Sequence, residues 1–264
     1  MSRSSSVSET AEPSGLQGQV ALVTGGTRNI GLHIAKRLRA AGAEVMVCGR
    51  KEPAELPAGL SFVAADVREP DQAVALVGRV TGTYGRLDVL VNNAGGGPAM
   101  PAADASPNLA TSIIRLNLLA PFFVAQAANA VMQTQPGGGL ILNIGSVSAM
   151  RPAPGTALYA AAKSGLRTLT QALALEWAPA VRVNSIAVGV ARTDDNAAHY
   201  GDEAGLAAVA ATVPMGRLAT PDDVADACLL LTSPLADYIT GADLLVDGGG
   251  QLPTYALARR TEHM

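Results

Sequence analysis

Short unbroken apolar runs alternate with longer stretches of helical periodicity along most of this chain. The run at residues 20–23 leads into glycines. The segment after it sets Ile30, Ile34, Leu38 and Ala41 on one helical face before Gly42 stops it. Residues 44–48 and 60–64 predict a second and a third strand, 70–84 a helix and 88–92 a fourth strand. A helix over 109–133, a strand at 140–144, a helix over 157–177 and a strand at 182–187 follow. Pro221 opens a last helix, 221–231, at the position where a missing N–H costs nothing, ahead of a strand at 244–246. Strands buried on both faces read as continuous apolar runs, and these mostly do. The alternation predicts an α/β fold: a doubly wound parallel sheet with helices on both faces. No repeat or linker divides it, so one domain is expected over 16–251, between a Ser-rich disordered tail (1–15) and a short tail at 252–264.

One stretch departs from the usual amphipathic pattern. No Asp, Glu, Lys, Arg or His occurs between Arg115 and Arg151, so the 109–133 helix lacks a charged outer face beyond its first turns. Asn117, Pro121, Gln126 and Asn129 interrupt it, and a membrane span wants about 20 predominantly apolar residues. The expectation is a helix covered on all sides, in a core or at a subunit interface, and no membrane association. Residues 1–14 lack the apolar segment of a signal peptide. With 264 residues and 48% apolar content the chain can bury a large core, though at 3% aromatics Ala, Val, Leu and Ile must fill it. Nineteen basic against 22 acidic residues, net −3, leave no electrostatic footprint for nucleic acid. Cys48 and Cys228 form neither a metal-ligand pattern nor a disulfide framework, which suits the reducing cytoplasm.

Candidate chemistry begins after the first strand, at Thr24-Gly25-Gly26-Thr27-Arg28-Asn29-Ile30-Gly31. Glycines permit a tight strand-to-helix turn and close backbone approach, and a helix N-terminus attracts pyrophosphate. Alone, the segment also fits an ordinary strand–helix turn. At the end of the second strand, an NAD site offers a carboxylate to the ribose 2′-hydroxyl, whereas arginine accommodates a 2′-phosphate. Here the chain reads Cys48-Gly49-Arg50-Lys51, with Arg28 in the preceding turn able to approach. Those cations favour NADP(H) over NAD(H); otherwise they are solvated surface charges. Further on, Tyr159-Ala160-Ala161-Ala162-Lys163 places a phenol and an ammonium on one helical face. A nearby cation favours the phenolate, and a tyrosine so tuned can exchange a proton with a carbonyl or alcohol oxygen. By itself the pair also fits a surface helix.

These segments occur in an order that resembles the classical short-chain dehydrogenase/reductase family, in its 3-oxoacyl-acyl-carrier-protein reductase-like branch. The resemblance rests on Thr24 to Gly31, Asn92-Asn93-Ala94-Gly95, Ser146 ahead of Tyr159, and Lys163. It continues through Arg182-Val183-Asn184, Gly189 to Thr193, Gly216-Arg217 and Tyr238-Ile239-Thr240-Gly241 to Val246-Asp247-Gly248-Gly249. It implies a single Rossmann-type domain with a seven-stranded parallel sheet. It implies that Tyr159 is the general acid, that Lys163 lowers its pKa and binds the nicotinamide ribose, that Ser146 donates to the substrate carbonyl, and that Asn117 holds a water linking Lys163 to solvent. Implied cofactor-binding positions are Gly25, Thr27, Arg28, Asn29, Ile30, Arg50, Asp66, Val67, Asn93, Ala94, Gly95, Tyr159, Lys163, Gly189, Ala191 and Thr193. A homotetramer is implied, or a homodimer, built on the helices at 109–133 and 157–177. Two departures stand out: Asn29 replaces the usual second glycine, and Val188 stands where the family has proline, which predicts a looser start to the substrate loop.

The expected activity is NADPH-dependent reduction of a small-molecule ketone or 3-oxoacyl-type carbonyl to an alcohol. Oxidation of an alcohol, or a catalytically silent dinucleotide sensor, are the other functions this pattern permits. His33, His199 and His263 are too scattered for a metal site. Asp194-Asp195 and Asp222-Asp223 are placed for helix N-termini, and Met150 and Arg151 for lining the substrate pocket. Residues 194–215 are expected to form small helices or a lid over the nicotinamide, with His199 and Tyr200 facing a substrate.

Overall fold

The structure, a computed structural model, describes residues 15–193 and 201–252. Seven strands form one sheet in which every pairing is parallel: β1 (Val20–Thr24), β2 (Glu44–Gly49), β3 (Leu60–Ala64), β4 (Val89–Asn92), β5 (Gly139–Ile144), β6 (Val181–Val188) and β7 (Asp243–Val246). Their order is β3-β2-β1-β4-β5-β6-β7. Strand order therefore reverses direction between β1 and β4, where an open α/β sheet leaves a crevice at its C-terminal edge. Seven helices accompany the strands among the described residues: α1 (Asn29–Ala40), α2 (Pro70–Tyr84), α3 (Pro107–Ile114), α4 (Ala120–Met132), α5 (Ala157–Trp177), α6 (Glu203–Ala210) and α7 (Pro221–Thr232).

Strand alternation sorts the core into two layers. Ala21 and Val23 of β1, with Val89 and Val91 of β4 and Leu140 and Leu142 of β5, face α1 and α7. Val20, Leu22, Leu90 and Ile141 face the opposite layer of α2, α4 and α5. Each side of the sheet thus has its own apolar cluster, which is why the strands read as unbroken apolar runs. On α1 the stripe comprises Gly31, Ile34, Ala35 and Leu38, all buried. Leu16, 1% exposed, already belongs to the core. Most of both expected tails lies outside the described residues.

The uncharged helix is longer and less regular than its periodicity suggests. It starts at Ser106, whose Oγ accepts the Leu109 N–H (3.2 Å), with Pro107 in the first turn. Helices α3 and α4 are joined by a π-helical turn at Arg115–Leu119, in which the Ala120 N–H reaches back to the Arg115 carbonyl. Pro121 supplies the cause. It has no N–H to offer Asn117, its partner in a regular α-helix, and its ring would press on that carbonyl; one wider turn relieves both. The whole of Pro107–Met132 is long and apolar enough to cross a membrane by length and composition alone. Here Ala120, Val124, Ala125, Ala128 and Met132 are buried in the layer shared with α2 and the sheet.

Val188 is not a loose joint. It continues β6 in register with Val246 of β7, and the Gly189 N–H donates to the Val246 carbonyl (2.9 Å). Asp222 and Asp223 open α7 as expected: Thr220 and Asp223 form a reciprocal capping box.

Candidate active site

The crevice between β1 and β4 is stitched together by one hydroxyl. Thr24 ends β1, and its Oγ1 accepts the N–H of Asn93 (3.0 Å) and of Ala94 (3.0 Å) from the turn after β4. Asn93 returns the contact, its Nδ2 donating to the carbonyls of Thr24 (2.9 Å) and Gly25 (3.1 Å). Two neighbouring turns are thereby held as one rigid floor. Gly25 takes φ 61°, and Asn29 takes φ 46°. Asn29 therefore adopts the left-handed conformation that a glycine would supply, the side-chain type best able to do so. At Gly31 a Cβ would lie 2.3 Å from the Gly25 carbonyl oxygen, and at Gly26 it would lie 2.7 Å from Val47 Cγ1, so neither position admits a side chain. The result is a backbone cradle at the N-terminus of α1, with no acidic residue in the first turn and Arg28 exposed beside it. Those features fit the pyrophosphate of a dinucleotide.

The 2′-end of such a dinucleotide would meet the end of β2. Arg50 and Lys51 are exposed there, directly after Gly49, whose carbonyl accepts the Ala65 N–H (2.9 Å). Thr27, from the turn after β1, lies against Gly49. Asp66 follows β3. Its N–H donates to Gln72 Oε1 (2.8 Å), and Arg68 donates Nε (2.9 Å) and Nη2 (2.5 Å) to its carboxylate. The Arg68 guanidinium holds the Asp66 carboxyl below the usual carboxylate range. Val67 beside it is buried.

The catalytic candidates gather on α5, the π turn and the end of β5. Lys163, 4% exposed, donates from Nζ to the Ile144 carbonyl (2.7 Å) and lies 5.7 Å from the centroid of the Tyr159 ring. Burial pushes its ammonium down to about 8. Asn117, 0% exposed, is pinned on three sides. Its Oδ1 accepts the Gly96 N–H (2.8 Å), while Nδ2 donates to the carbonyls of Gly96 (2.8 Å) and Ile113 (3.0 Å). Between Asn117 and Lys163 lies Gly95, where a Cβ would come 2.9 Å from Asn117 Oδ1 and 3.3 Å from Lys163 Nζ. Ser146 caps a 3-10 turn, Val147–Ala149; its Oγ accepts the Ser148 N–H (3.1 Å), which leaves the hydroxyl proton to donate.

Behind this surface runs a buried polar chain of which the sequence motifs mark only the first member, Asn92. Asn92 Nδ2 donates to the Pro121 carbonyl (3.1 Å) and to Asn143 Oδ1 (2.9 Å), Asn143 Nδ2 donates to Thr170 Oγ1 (2.9 Å), and Thr170 donates to the Leu166 carbonyl (2.8 Å). It ties β4 and β5 to α4 and α5, the helices bearing the site. Thr24 opens the Thr24–Gly31 motif but is not among the implied cofactor-binding positions; its hydroxyl makes it a structural part of the site.

Gly189 begins the remaining wall. A Cβ there would lie 2.7 Å from Asp247 Cα, and Ala191 bridges to Ala219 in parallel fashion. Thr193 closes this described segment. Of the expected lid, residues 201–215 are described; they include helix α6, capped by Asp202, and Glu203 at its start pairs with Arg192. Asp194, Asp195, His199 and Tyr200 lie outside the described residues. Met150 is exposed, and Arg151 is engaged with Asp247. No group of three or more His, Cys, Asp or Glu side chains suited to a metal occurs among the described residues.

Comparison with known proteins agrees with this geometry. The sequence profile of a family described as enoyl-(acyl carrier protein) reductase matches residues 25–251. A granaticin polyketide synthase putative ketoacyl reductase 2 from Streptomyces violaceoruber is 40% identical, covering 88% of this chain and 96% of its own. A 3alpha-hydroxysteroid dehydrogenase from Mediterraneibacter gnavus is 36% identical over 89% of this chain and 98% of its own. The solved structure of Thermoplasma acidophilum aldohexose dehydrogenase in ligand-free form superposes with a TM-score of 0.85 at 30% identity, covering 90% of this chain and 96% of that one. The chain belongs to the classical short-chain dehydrogenase/reductase family, as an oxidoreductase of alcohol and carbonyl groups that uses a nicotinamide dinucleotide.

Proposed function

We propose that this enzyme is an NADPH-dependent carbonyl reductase acting on a ketone or 3-oxoacyl-type substrate. The observation that carries the proposal is the buried Lys163 ammonium, 2.7 Å from the Ile144 carbonyl and 5.7 Å from the Tyr159 ring centroid. The nicotinamide, when bound, supplies the hydride. Everything else falls to the chain. Ser146 donates its hydroxyl proton to the substrate oxygen and orients it. Tyr159 gives that oxygen a proton as negative charge develops there. Lys163, with an ammonium titrating near 8, still carries its proton at pH 7 and favours the phenolate left behind. Asn117, fixed by three hydrogen bonds in the widened turn, holds the water through which Lys163 and Tyr159 recover a proton.

The preference for NADPH rests on Arg50 and Arg28, exposed at the end of β2 and at the start of α1. Strand β2 ends without a carboxylate that would pair with a ribose 2′-hydroxyl and repel a 2′-phosphate. Cellular NADP pools favour reduction, which sets the direction. A soluble cytoplasmic enzyme is the accompanying proposal, supported by two free, buried cysteines. So is a homotetramer, with a homodimer as the smaller option, supported by the half-buried Phe122, Phe123 and Val131 on the uncharged helix.

The test is oxidation of NADPH by the purified protein against 3-oxoacyl thioesters, β-ketoesters, cyclic ketones, diketones and a quinone, with Tyr159→Phe beside it. Tyr159-dependent turnover is expected on at least one carbonyl class. Cofactor binding without turnover on any of them would favour the silent sensor.

A further inference from the structure

Three segments that border the substrate site converge on one buried carboxylate. Asp247 follows β7, and its side chain is 5% exposed. Its Oδ1 accepts the Gly249 N–H (3.2 Å), shaping a turn over 247–250. Oδ2 takes the guanidinium of Arg151, which lies in the connection between Ser146 and Tyr159. The guanidinium is seated flush on that turn: a Cβ at Gly250 would lie 2.2 Å from Arg151 Nη1. On its inner side the turn meets the nicotinamide-facing segment, since a Cβ on Gly189 would lie 2.7 Å from both Cα and Cβ of Asp247. On its outer side it meets the end of the lid segment. The Met215 N–H donates to the Gly248 carbonyl (3.1 Å), a Cβ at Gly249 would lie 3.1 Å from Pro214, and the Leu252 N–H donates to the Thr212 carbonyl (2.8 Å).

We infer that the Arg151–Asp247 ion pair is a positioning strut that fixes the connection carrying Ser146 against the 189–193 and 212–215 walls of the substrate site. Arg151 is anchored at its own end as well. Its N–H and that of Met150 both donate to the Val147 carbonyl (2.8 and 2.9 Å), one residue after Ser146. The Ala149 carbonyl accepts the Ser164 hydroxyl (2.8 Å), beside Lys163 on α5. Force applied at the guanidinium is therefore transmitted to the turn that Ser146 caps. The carboxylate is buried and the arginine is its ion-pair partner there, so removing the arginine leaves a charge stranded under the turn. Arg151 thus acts on the reaction through the placement of Ser146, and its side chain is not itself a substrate contact.

The inference rests on the carbonyl-reductase reading for its kinetic consequence, so the experiment has one arm that needs no turnover. Arg151→Met and Asp247→Asn, each still able to keep the Gly249 hydrogen bond, are compared with wild type and with the double variant. In hydrogen–deuterium exchange, both single variants are expected to speed exchange about ten-fold or more at 147–151 and also at 212–216, with β1 and β4 unchanged. Faster exchange confined to the mutated turn, or none, would overturn the strut.

In the kinetic arm, on a carbonyl that wild type reduces, kcat/KM is expected to fall about ten- to a hundred-fold in each single variant, because small misplacements of a reacting group carry such costs. NADPH affinity should stay within about two-fold, the double variant should be no worse than the poorer single one, and Arg151→Lys should recover part of the loss. Independent, multiplying losses, or lowered thermal stability with kcat/KM intact, would contradict a positioning role. Absence of wild-type turnover would count against the functional reading and leave the exchange arm to decide the strut.

Discussion

Gly95→Ala adds one methyl group at the point where Asn117 and Lys163 meet. Its Cβ would stand 2.9 Å from Asn117 Oδ1, closer than a Cβ comes to any neighbour without something shifting, and 3.3 Å from Lys163 Nζ, a tight contact. Neither neighbour can give way freely. Asn117 is fully buried and held by hydrogen bonds of 2.8, 2.8 and 3.0 Å, and Lys163 is held at 2.7 Å by the Ile144 carbonyl. Overpacking of this kind costs about 1–3 kcal/mol. For a chain of this size each kcal/mol lowers Tm by about 2–4 °C. The cost to activity should be larger than the cost to stability, because relief comes from moving the groups that handle the proton. A shift of about 1 Å in such groups costs about a hundred-fold in rate. The assay pairs a thermal melt with Tyr159-dependent NADPH oxidation on the best carbonyl of the panel. A variant that melts within a degree of wild type and turns over at the wild-type rate would refute the claim that Asn117, Lys163 and the turn after β4 form one rigid unit.

Three further outcomes can be checked on the same molecule. Burial lowers the Lys163 ammonium from 10.5 to about 8. Between those values the unfolded chain binds a proton that the folded chain has lost, so this group's contribution to stability rises from pH 8 to 10.5; below pH 8 the full penalty applies, about 3 kcal/mol. Lys163→Met removes that penalty, less about 1 kcal/mol for the lost bond to Ile144. Tm should rise at pH 7 while turnover disappears, and the gain should fade toward pH 10.5; an equal gain at pH 7 and 10 would rule out burial of the ammonium as its cause. Gly78→Ala, exposed in α2 with nothing within 4 Å of the new methyl, should stabilise by about 0.5–1 kcal/mol in a denaturant titration, and destabilisation would contradict an open helical position at this residue. Arg50→Ala should weaken NADPH binding about ten-fold, or about 1.4 kcal/mol, and leave NADH unchanged in a fluorescence titration. An equal loss for both cofactors would take Arg50 away from the 2′-phosphate.

The strands, their sidedness and the helix order are legible in the sequence because each is written locally. The short apolar run at 20–23, ended by glycines, reads as a strand buried on both faces, and the spacing of Ile30, Ile34, Leu38 and Ala41 reads as one face of a helix. Asn29 shows a limit of motif reading. It departs from the glycine pattern, yet its φ of 46° keeps the same turn shape with a different residue. The π turn at Asn117 is hidden by the uniform apolarity around it, which blurs the phase of the helix, although Pro121 four residues on is its physical sign. Arg151 reads as pocket lining because nothing near it in sequence can pair with it; its partner, Asp247, is 96 positions away. Contacts of that range, like the Asn92–Asn143–Thr170 chain, arise only when the sheet is assembled, and no local pattern encodes them.

The measurement that bears most directly on the proposed reaction is the fate of the transferred hydrogen. NADPH carrying deuterium at both nicotinamide C4 positions would be incubated with the enzyme and its best carbonyl substrate, and the product analysed by mass spectrometry. A carbonyl reductase of this kind places one deuterium on the carbinol carbon of the product for each NADPH consumed, and the conversion is lost in Tyr159→Phe. NADPH consumption that leaves the product unlabelled, or labelled product formed at the same rate by Tyr159→Phe, would contradict it.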